Sequence, residues 1–160
     1  MDKDRFARRV TDLQGSLYRV AASYLQGESD RLDAVSDAIA RAWEKRHTLR
    51  EEAYFRTWIT RILIRECVNI QRRQKRSIPV AQTPETAQDE DERVIALREA
   101  LERLPQRHRT MVVLHYMEGC TVEEISDMTG TPSGTVKARL SAARKQLGRI
   151  LQDEWEEGKG

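Results

Sequence analysis

Two cysteines, four prolines and 6% aromatic residues in 160 remove several classes of protein from consideration. Cys67 and Cys120 are too few for a disulfide-stapled scaffold and suit a reducing compartment. No apolar run approaches the roughly 20 residues that a membrane span needs. The opening Met1-Asp2-Lys3-Asp4-Arg5-Phe6 lacks the apolar core of a signal peptide, so a cytoplasmic protein, not embedded in a membrane, is expected. His47, His108 and His115 show, with the two cysteines, no zinc-site spacing. A Gly-rich phosphate loop and a nucleophile motif are also missing. No metal, cofactor or catalytic residue is therefore expected, and the chain does not read as an enzyme.

Charge is what the chain has in quantity: 34% of residues are charged, and 28 Lys/Arg against 26 Asp/Glu leave only +2. That small sum hides a partition. Residues 1–76 hold 17 basic and 11 acidic residues, a balance of +6. Residues 77–92 hold five acids and no base (Glu85, Asp89, Glu90, Asp91, Glu92), and residues 93–160 return to +1. Two stretches are strongly basic. One is 56–76, with Arg56, Arg61, Arg65, Arg72, Arg73, Lys75 and Arg76 against Glu66 alone; the other, 133–149, has five bases and no acid. Two basic stripes separated by an acidic strip suit two polyanion-facing surfaces, although taken alone such runs read as solvated helix faces.

Pro79 and Pro84 stand within the acidic strip and break any helix there; with little to bury, 77–92 reads as a flexible linker. On either side the apolar residues recur at helical spacing, and no alternating run suggests a strand. The first half offers three helices. Phe6, Val10, Leu13, Leu17, Ala21 and Tyr24 share one face before Gly27 ends the helix. Leu32, Val35, Ile39, Ala42 and Trp43 follow behind a cap at Ser29 or Asp30. Phe55, Ile59, Ile62, Leu63 and Val68 form the third stripe. The second half reads as helices near 93–103, 106–118, 122–129 and 132–152. Pro105 starts the second of these, Gly119 ends it, and Gly130 closes the third. The chain is therefore expected to be all-α, with two small helical domains, 1–76 and 93–160.

The last two helices carry the clearest motif. Thr121-Val122-Glu123-Glu124 is a capping box ahead of Ile125. A turn through Gly130 leads to a longer basic helix that starts at Thr131-Pro132-Ser133-Gly134, with either hydroxyl as cap. A short capped helix, a Gly-containing turn and a basic second helix make a helix-turn-helix. Val122 and Ile125 would pack on Val136 and Leu140. Ser133, Gly134, Thr135 and Lys137 occupy the end that a recognition helix presents to the major groove. Arg139, Arg144 and Lys145 are placed for phosphates or base edges.

The segment from Glu123 through Gly130-Thr131-Pro132-Ser133-Gly134-Thr135-Val136-Lys137-Ala138-Arg139-Leu140-Ser141-Ala142-Ala143-Arg144-Lys145 to Leu147 resembles region 4 of bacterial sigma factors of the extracytoplasmic-function family. Leu104-Pro105 and the basic residues after it are similar to the start of that region. Asp30 to Trp43 resembles the region 2 helix that binds core RNA polymerase, and Trp58 to Arg65 resembles the helix that faces the −10 element. Departures are local. Where the family has Asp-Ala-Glu-Asp-x-x-Gln this chain has Asp30-Arg31-Leu32-Asp33-Ala34-Val35-Ser36, and Arg65 and Asn69 stand for a common Asn and Asp.

The resemblance implies a division of labour. Region 4 would read the −35 element through Ser133, Gly134, Thr135, Lys137, Ala138, Arg139, Ser141, Ala142, Arg144 and Lys145, and would also contact the polymerase flap. Asp33, Ser36, Asp37, Ile39, Ala40, Arg41 and Trp43 would grip the coiled coil of the largest polymerase subunit; Trp43 serves equally well as core. The loop with Thr48, Leu49 and Arg50 would capture a flipped base of the −10 element, at a cost of a few kcal/mol. Trp58, Arg61, Arg65, Asn69 and Arg72 would hold the opened strand by stacking and phosphate contact, although an aromatic on an apolar stripe such as Trp58 more often belongs to the core. The sixteen-residue linker extends to at most about 55 Å. A spacer of about 17 base pairs covers roughly 58 Å, so with the width of the domains both elements are within reach. Core polymerase, promoter DNA and a membrane-anchored anti-sigma factor are the implied partners. An autonomous helix-turn-helix regulator is the alternative, but no heptad run or strand set supplies the dimer surface that two half-sites require.

Overall fold

The computed structural model describes residues 1–76 and 91–159, with side chains as far as Asp153. Residues 77–90, the greater part of the linker read from the sequence, lie outside the described residues. Every regular element described is helical.

Helix α1 runs from Lys3 to Tyr24, where Asp2 caps it by accepting from the Arg5 N–H at 2.8 Å and Asp4 adds charge to the first turn. It ends at Leu25, which turns to extended backbone. Gly27 therefore does not end α1 as the sequence suggests: it is the N-cap of α2, Glu28–Glu44, and Ser29 and Asp30 lie inside that helix. No side chain caps α2; the first-turn acids Glu28 and Asp30 complement the positive helix end instead. The inward face of α2 is small, with Ala34, Val35, Ala38 and Ala42 buried, which lets it approach its neighbours closely. Two short 3₁₀ turns, Arg46–Thr48 and Glu52–Tyr54, lead into α3, Phe55–Lys75.

Helix α3 is the centre of the molecule. Phe55, Ile59, Ile62, Leu63, Ile64, Cys67 and Ile70 are all buried. Ile62, Leu63 and Ile64 are consecutive, so they cannot share one helical face. One side of α3 packs on α1 and α2, and the other packs on a helix of the second half.

That half begins with α4, Glu92–Glu102, capped by Asp91, so the last residue assigned to the linker is helical. Pro105 stands one place before the first helical residue of α5, Gln106–Val112, as its N-cap. The single helix expected over 106–118 changes character after Val112, with a π turn over Val113–Met117. Here the Glu118 N–H donates to the Val113 carbonyl at 3.0 Å, and the Cys120 N–H to the Leu114 carbonyl at 2.9 Å. Gly119 follows with φ of 68°, a conformation that costs glycine little. Helix α6 spans Val122–Thr129 and α7 spans Ser133–Lys159. No described helix is long and apolar enough to cross a membrane.

The two halves share a core. Leu17, Val20, Phe55, Ile59 and Leu63 belong to the same buried cluster as Met111, Leu114, Ile125, Met128, Val136 and Leu140. A smaller cluster of Leu101, Leu104, Val112 and Ala143 joins α4 and α5 to α7.

Candidate nucleic-acid interface

The helix-turn-helix forms as its local chemistry dictates. Thr121 Oγ1 accepts from the Glu124 N–H at 3.1 Å, and the Glu124 carboxylate accepts from the Thr121 N–H at 3.0 Å. Gly130, at φ 68°, closes α6 in the left-handed region. Ser126 Oγ donates to the Thr131 carbonyl at 2.6 Å and ties the turn to α6. Ile125, Val136 and Leu140 are buried between the two helices, with Val122 half-buried beside them. These contacts fix the angle at which α7 leaves the body.

The N-terminal end of α7 faces outward. Ser133, Gly134, Lys137 and Ala138 are exposed, as are Arg144 and Lys145 further along, while Thr135, Arg139, Ser141 and Ala142 are half-buried. Arg139 reaches the first half of the chain electrostatically: burial pushes the Tyr24 phenol up to about 12, and the Arg139 charge pulls against that rise.

A second cationic surface lies on α3. Arg61, Arg65, Asn69 and Arg72 are exposed and follow one another along the helix. With Ile64 and Val68 they line a cleft whose far wall is Met128, Thr129 and Gly130 at the end of α6. Trp58 is half-buried and packs beside Phe55, ring centres 5.9 Å apart, so it is partly core. Thr48 and Arg50 are exposed and Leu49 half-buried in the loop before α3; they are not part of that cleft.

The outward face of α2 presents Asp33, Ser36, Asp37, Ala40 and Arg41, with Ile39 half-buried at its margin and Leu32 half-exposed beside it. Trp43 is half-buried against Phe6 at 5.2 Å, with the Arg46 guanidinium 3.7 Å over its ring. It serves the core and leaves an edge at the surface. Arg41 is held by Glu66 at 2.6 Å, and the Glu66 side chain is only 7% exposed.

Sequence reading missed the polar contacts that join the halves. Arg19 grips the Glu118 carboxylate through Nε at 2.5 Å and a terminal nitrogen at 3.2 Å. Arg56 donates to Glu124 at 2.9 Å and to the Glu118 carbonyl at 3.2 Å. Burial alone would raise the Glu118 pKa, but hydrogen bonds from Arg19 and Ser16 and the charges of Arg19 and Arg56 hold it below the usual carboxylate range. Glu124 is lowered chiefly by the Thr121 N–H of its own capping box, helped by Arg56. The partners are many residues apart, so no local pattern could have announced them.

Two family models match the chain: sigma-70 region 2 over residues 9–77 and sigma-70 region 4 over residues 95–147. The RNA polymerase sigma factor SigV of Bacillus subtilis is 33% identical over 142 residues, covering 86% of each chain. The ECF RNA polymerase sigma factor SigM of Mycobacterium tuberculosis is 34% identical over 143 residues, 84% of this chain and 71% of that protein. This chain is an extracytoplasmic-function sigma factor of the sigma-70 family. It binds core RNA polymerase and directs promoter-specific initiation through the −10 and −35 elements. The fold agrees: the sigma factor RpoE of Bartonella quintana, solved in complex with the anti-sigma factor NepR, superposes with a TM-score of 0.81 at 22% identity, covering 92% of this chain and 97% of that one. As a sigma factor the protein is a regulatory initiation factor, and the autonomous-regulator alternative is not favoured.

Proposed function

We propose that the sigma factor divides its work at the linker, with residues 1–76 binding polymerase and opening the −10 element, and residues 93–160 reading the −35 element. The observation that carries this reading is the placement of outward polar surfaces on rigid helices: the α7 N-terminus behind a capped α6, the α3 stripe and the α2 face. Ser133, Gly134, Thr135, Lys137 and Ala138 enter the major groove. Arg139, Ser141, Ala142, Arg144 and Lys145 follow along the same helix and meet base edges or flanking phosphates.

On α3, Arg61, Arg65, Asn69 and Arg72 track the backbone of the melted strand, with the exposed edge of Trp58 as a stacking surface. Thr48, Leu49 and Arg50 receive the flipped base. Asp33, Ser36, Asp37, Ile39, Ala40, Arg41 and the edge of Trp43 meet the coiled coil of the largest polymerase subunit, and residues 93–160 reach its flap. The protein acts in the cytoplasm as a non-enzymatic subunit without a cofactor. An anti-sigma factor, membrane-anchored in this reading, is the negative partner; the Bartonella sigma factor RpoE was solved in complex with an anti-sigma factor, NepR, which supports a partner of that class without bearing on its anchor.

Lys137→Ala and Arg139→Ala are each expected to weaken −35-dependent transcription by about 5- to 150-fold, the range for one lost contact worth about 1–3 kcal/mol. Arg61→Ala is expected to spare duplex binding and impair strand opening. Permanganate footprinting on a promoter with core polymerase separates the two steps. Normal thymine reactivity with Arg61→Ala refutes the α3 assignment.

A further inference from the structure

Tyr116 has no part in the contacts assigned so far, yet it touches one of the residues that carry them. It is 52% exposed and stands in the π turn Val113–Met117, where its phenol oxygen accepts from the Arg144 guanidinium at 2.7 Å. The ring does not hang loose at the surface. It meets the His115 imidazole edge-on, ring centres 4.8 Å apart, and His115 donates from Nδ1 to the Cys120 carbonyl at 2.9 Å. A carbonyl only accepts, so Nδ1 carries the proton. Cys120 is buried, and its N–H donates to the carbonyl of buried Leu114 at 2.9 Å. The phenol is thus tied to the core through two contacts. A π turn takes one residue more than an α turn and so redirects the side chains at its end; here Tyr116 is the one that reaches α7.

We infer that Tyr116 is a positioning residue for −35 recognition, which holds the Arg144 guanidinium ready for a backbone phosphate at the rim of the major groove. The inference rests on the reading of α7 as the −35 helix. Arg144 lies ten residues beyond Gly134, about 15 Å along the helix axis. The major groove is only about 8.5 Å deep, so a helix that enters by its N-terminus leaves Arg144 level with the phosphates. On α7, Arg144 sits between the outward row of Lys137 and Ser141 and the buried row of Leu140 and Ala143. From that margin a long side chain has several directions open to it, and choosing one on binding costs rotamer entropy. The Tyr116 oxygen settles the direction beforehand. It takes one of the five guanidinium N–H groups and leaves four for an anion. It also brings no charge, so Arg144 keeps its full attraction for a phosphate. Residues 133–149 contain no acid, and no carboxylate of that stretch competes.

A double-mutant cycle in the holoenzyme tests this. Core polymerase carrying the wild-type chain, Tyr116→Phe, Arg144→Ala or both is titrated against a fluorescent promoter duplex, mapped by run-off transcription, at several salt concentrations. Tyr116→Phe keeps the ring and removes only the oxygen. It should weaken promoter binding about 2- to 10-fold, the range for one hydrogen bond, with the salt slope unchanged. Arg144→Ala should weaken binding further and reduce the salt slope by about 1. In the Arg144→Ala background, Tyr116→Phe should have no further effect. Wild-type affinity for Tyr116→Phe overturns the inference. So does a Tyr116→Phe loss that persists at full size without Arg144, because Tyr116 would then act on DNA or on the fold by itself. An unchanged salt slope for Arg144→Ala overturns the phosphate assignment. Lys137→Ala separates this inference from the reading beneath it. If Lys137→Ala weakens binding while the Tyr116 and Arg144 variants do not, the positioning role alone fails; if Lys137→Ala is neutral as well, the −35 reading of α7 fails with it.

Discussion

Phe55→Ala is expected to lower the stability of the sigma factor by about 3–5 kcal/mol. Phe55 has no solvent exposure and stands at the start of α3, where three helices converge. Its ring meets Phe6 of α1 edge-on with centres 5.8 Å apart, and Phe6 in turn meets Trp43 of α2 at 5.2 Å. The Arg9 guanidinium lies 5.0 Å from the Phe55 ring centre. Truncation therefore removes buried apolar area, two ring contacts and a cation–π contact together, and the small residues of α2 leave nothing long enough to refill the space. Against a total stability of about 5–15 kcal/mol, the loss brings the chain close to unfolding at growth temperature. Urea denaturation followed by circular dichroism measures it. Leu97→Ala, at a site 42% exposed, serves as the control and should change stability by no more than about 0.5 kcal/mol. A Phe55→Ala loss below about 1 kcal/mol would mean that this aromatic junction is not the anchor of the first half.

Arg41→Ala should carry the second large effect, at about 2–3 kcal/mol, although Arg41 itself is half-exposed. The reason is its partner: the Glu66 side chain is 7% exposed and lies 2.6 Å from the Arg41 guanidinium. A buried carboxylate that loses its cation is costly, about 3–5 kcal/mol when the pair is fully buried; water entering where Arg41 stood moderates that figure. Removing both charges should cost less than removing one. Arg41→Met with Glu66→Met is expected to recover most of the loss, because an apolar pair of similar volume satisfies the same pocket. A double-mutant cycle by urea denaturation reads the coupling directly, and additive single effects would refute it. The result bears on function, since any polymerase-binding defect of Arg41→Ala has to be measured at a temperature where the variant remains folded.

These two sites also show what a linear reading captures and what it loses. The helices were legible because their apolar residues repeat at three and four, and the helix-turn-helix was legible because its cap, its left-handed glycine and the acid-free stretch 133–149 of its second helix are local chemistry. The outward face of α2 came from the family resemblance, and the apolar stripe read there was only partly right: Val35 and Ala42 are buried, but Leu32 is 50% exposed and Ala34 and Ala38 take the inward places. Ile64 was the overlooked clue on α3: with Ile62 and Leu63 it makes three consecutive apolar residues, more than one helical face can bury, and the second face is the one that α6 covers. The Arg19–Glu118 and Arg56–Glu124 pairs span 99 and 68 residues, and the Arg41–Glu66 pair crosses between helices. Such contacts are products of the assembled fold and leave no spacing signature. Gly27 shows a different limit, because the same residue type ends one helix or opens the next, and only the backbone path of Leu25 decides which.

Run-off transcription with purified core RNA polymerase tests the central claim most directly. Core enzyme alone should give no defined starts on genomic fragments, whereas addition of this chain should give discrete transcripts. Their start sites, once mapped, should share −10 and −35 sequences separated by about 17 base pairs, a spacing of roughly 58 Å. Sequence-specific DNA binding by the chain alone, with no transcript in the presence of core enzyme, would contradict the account.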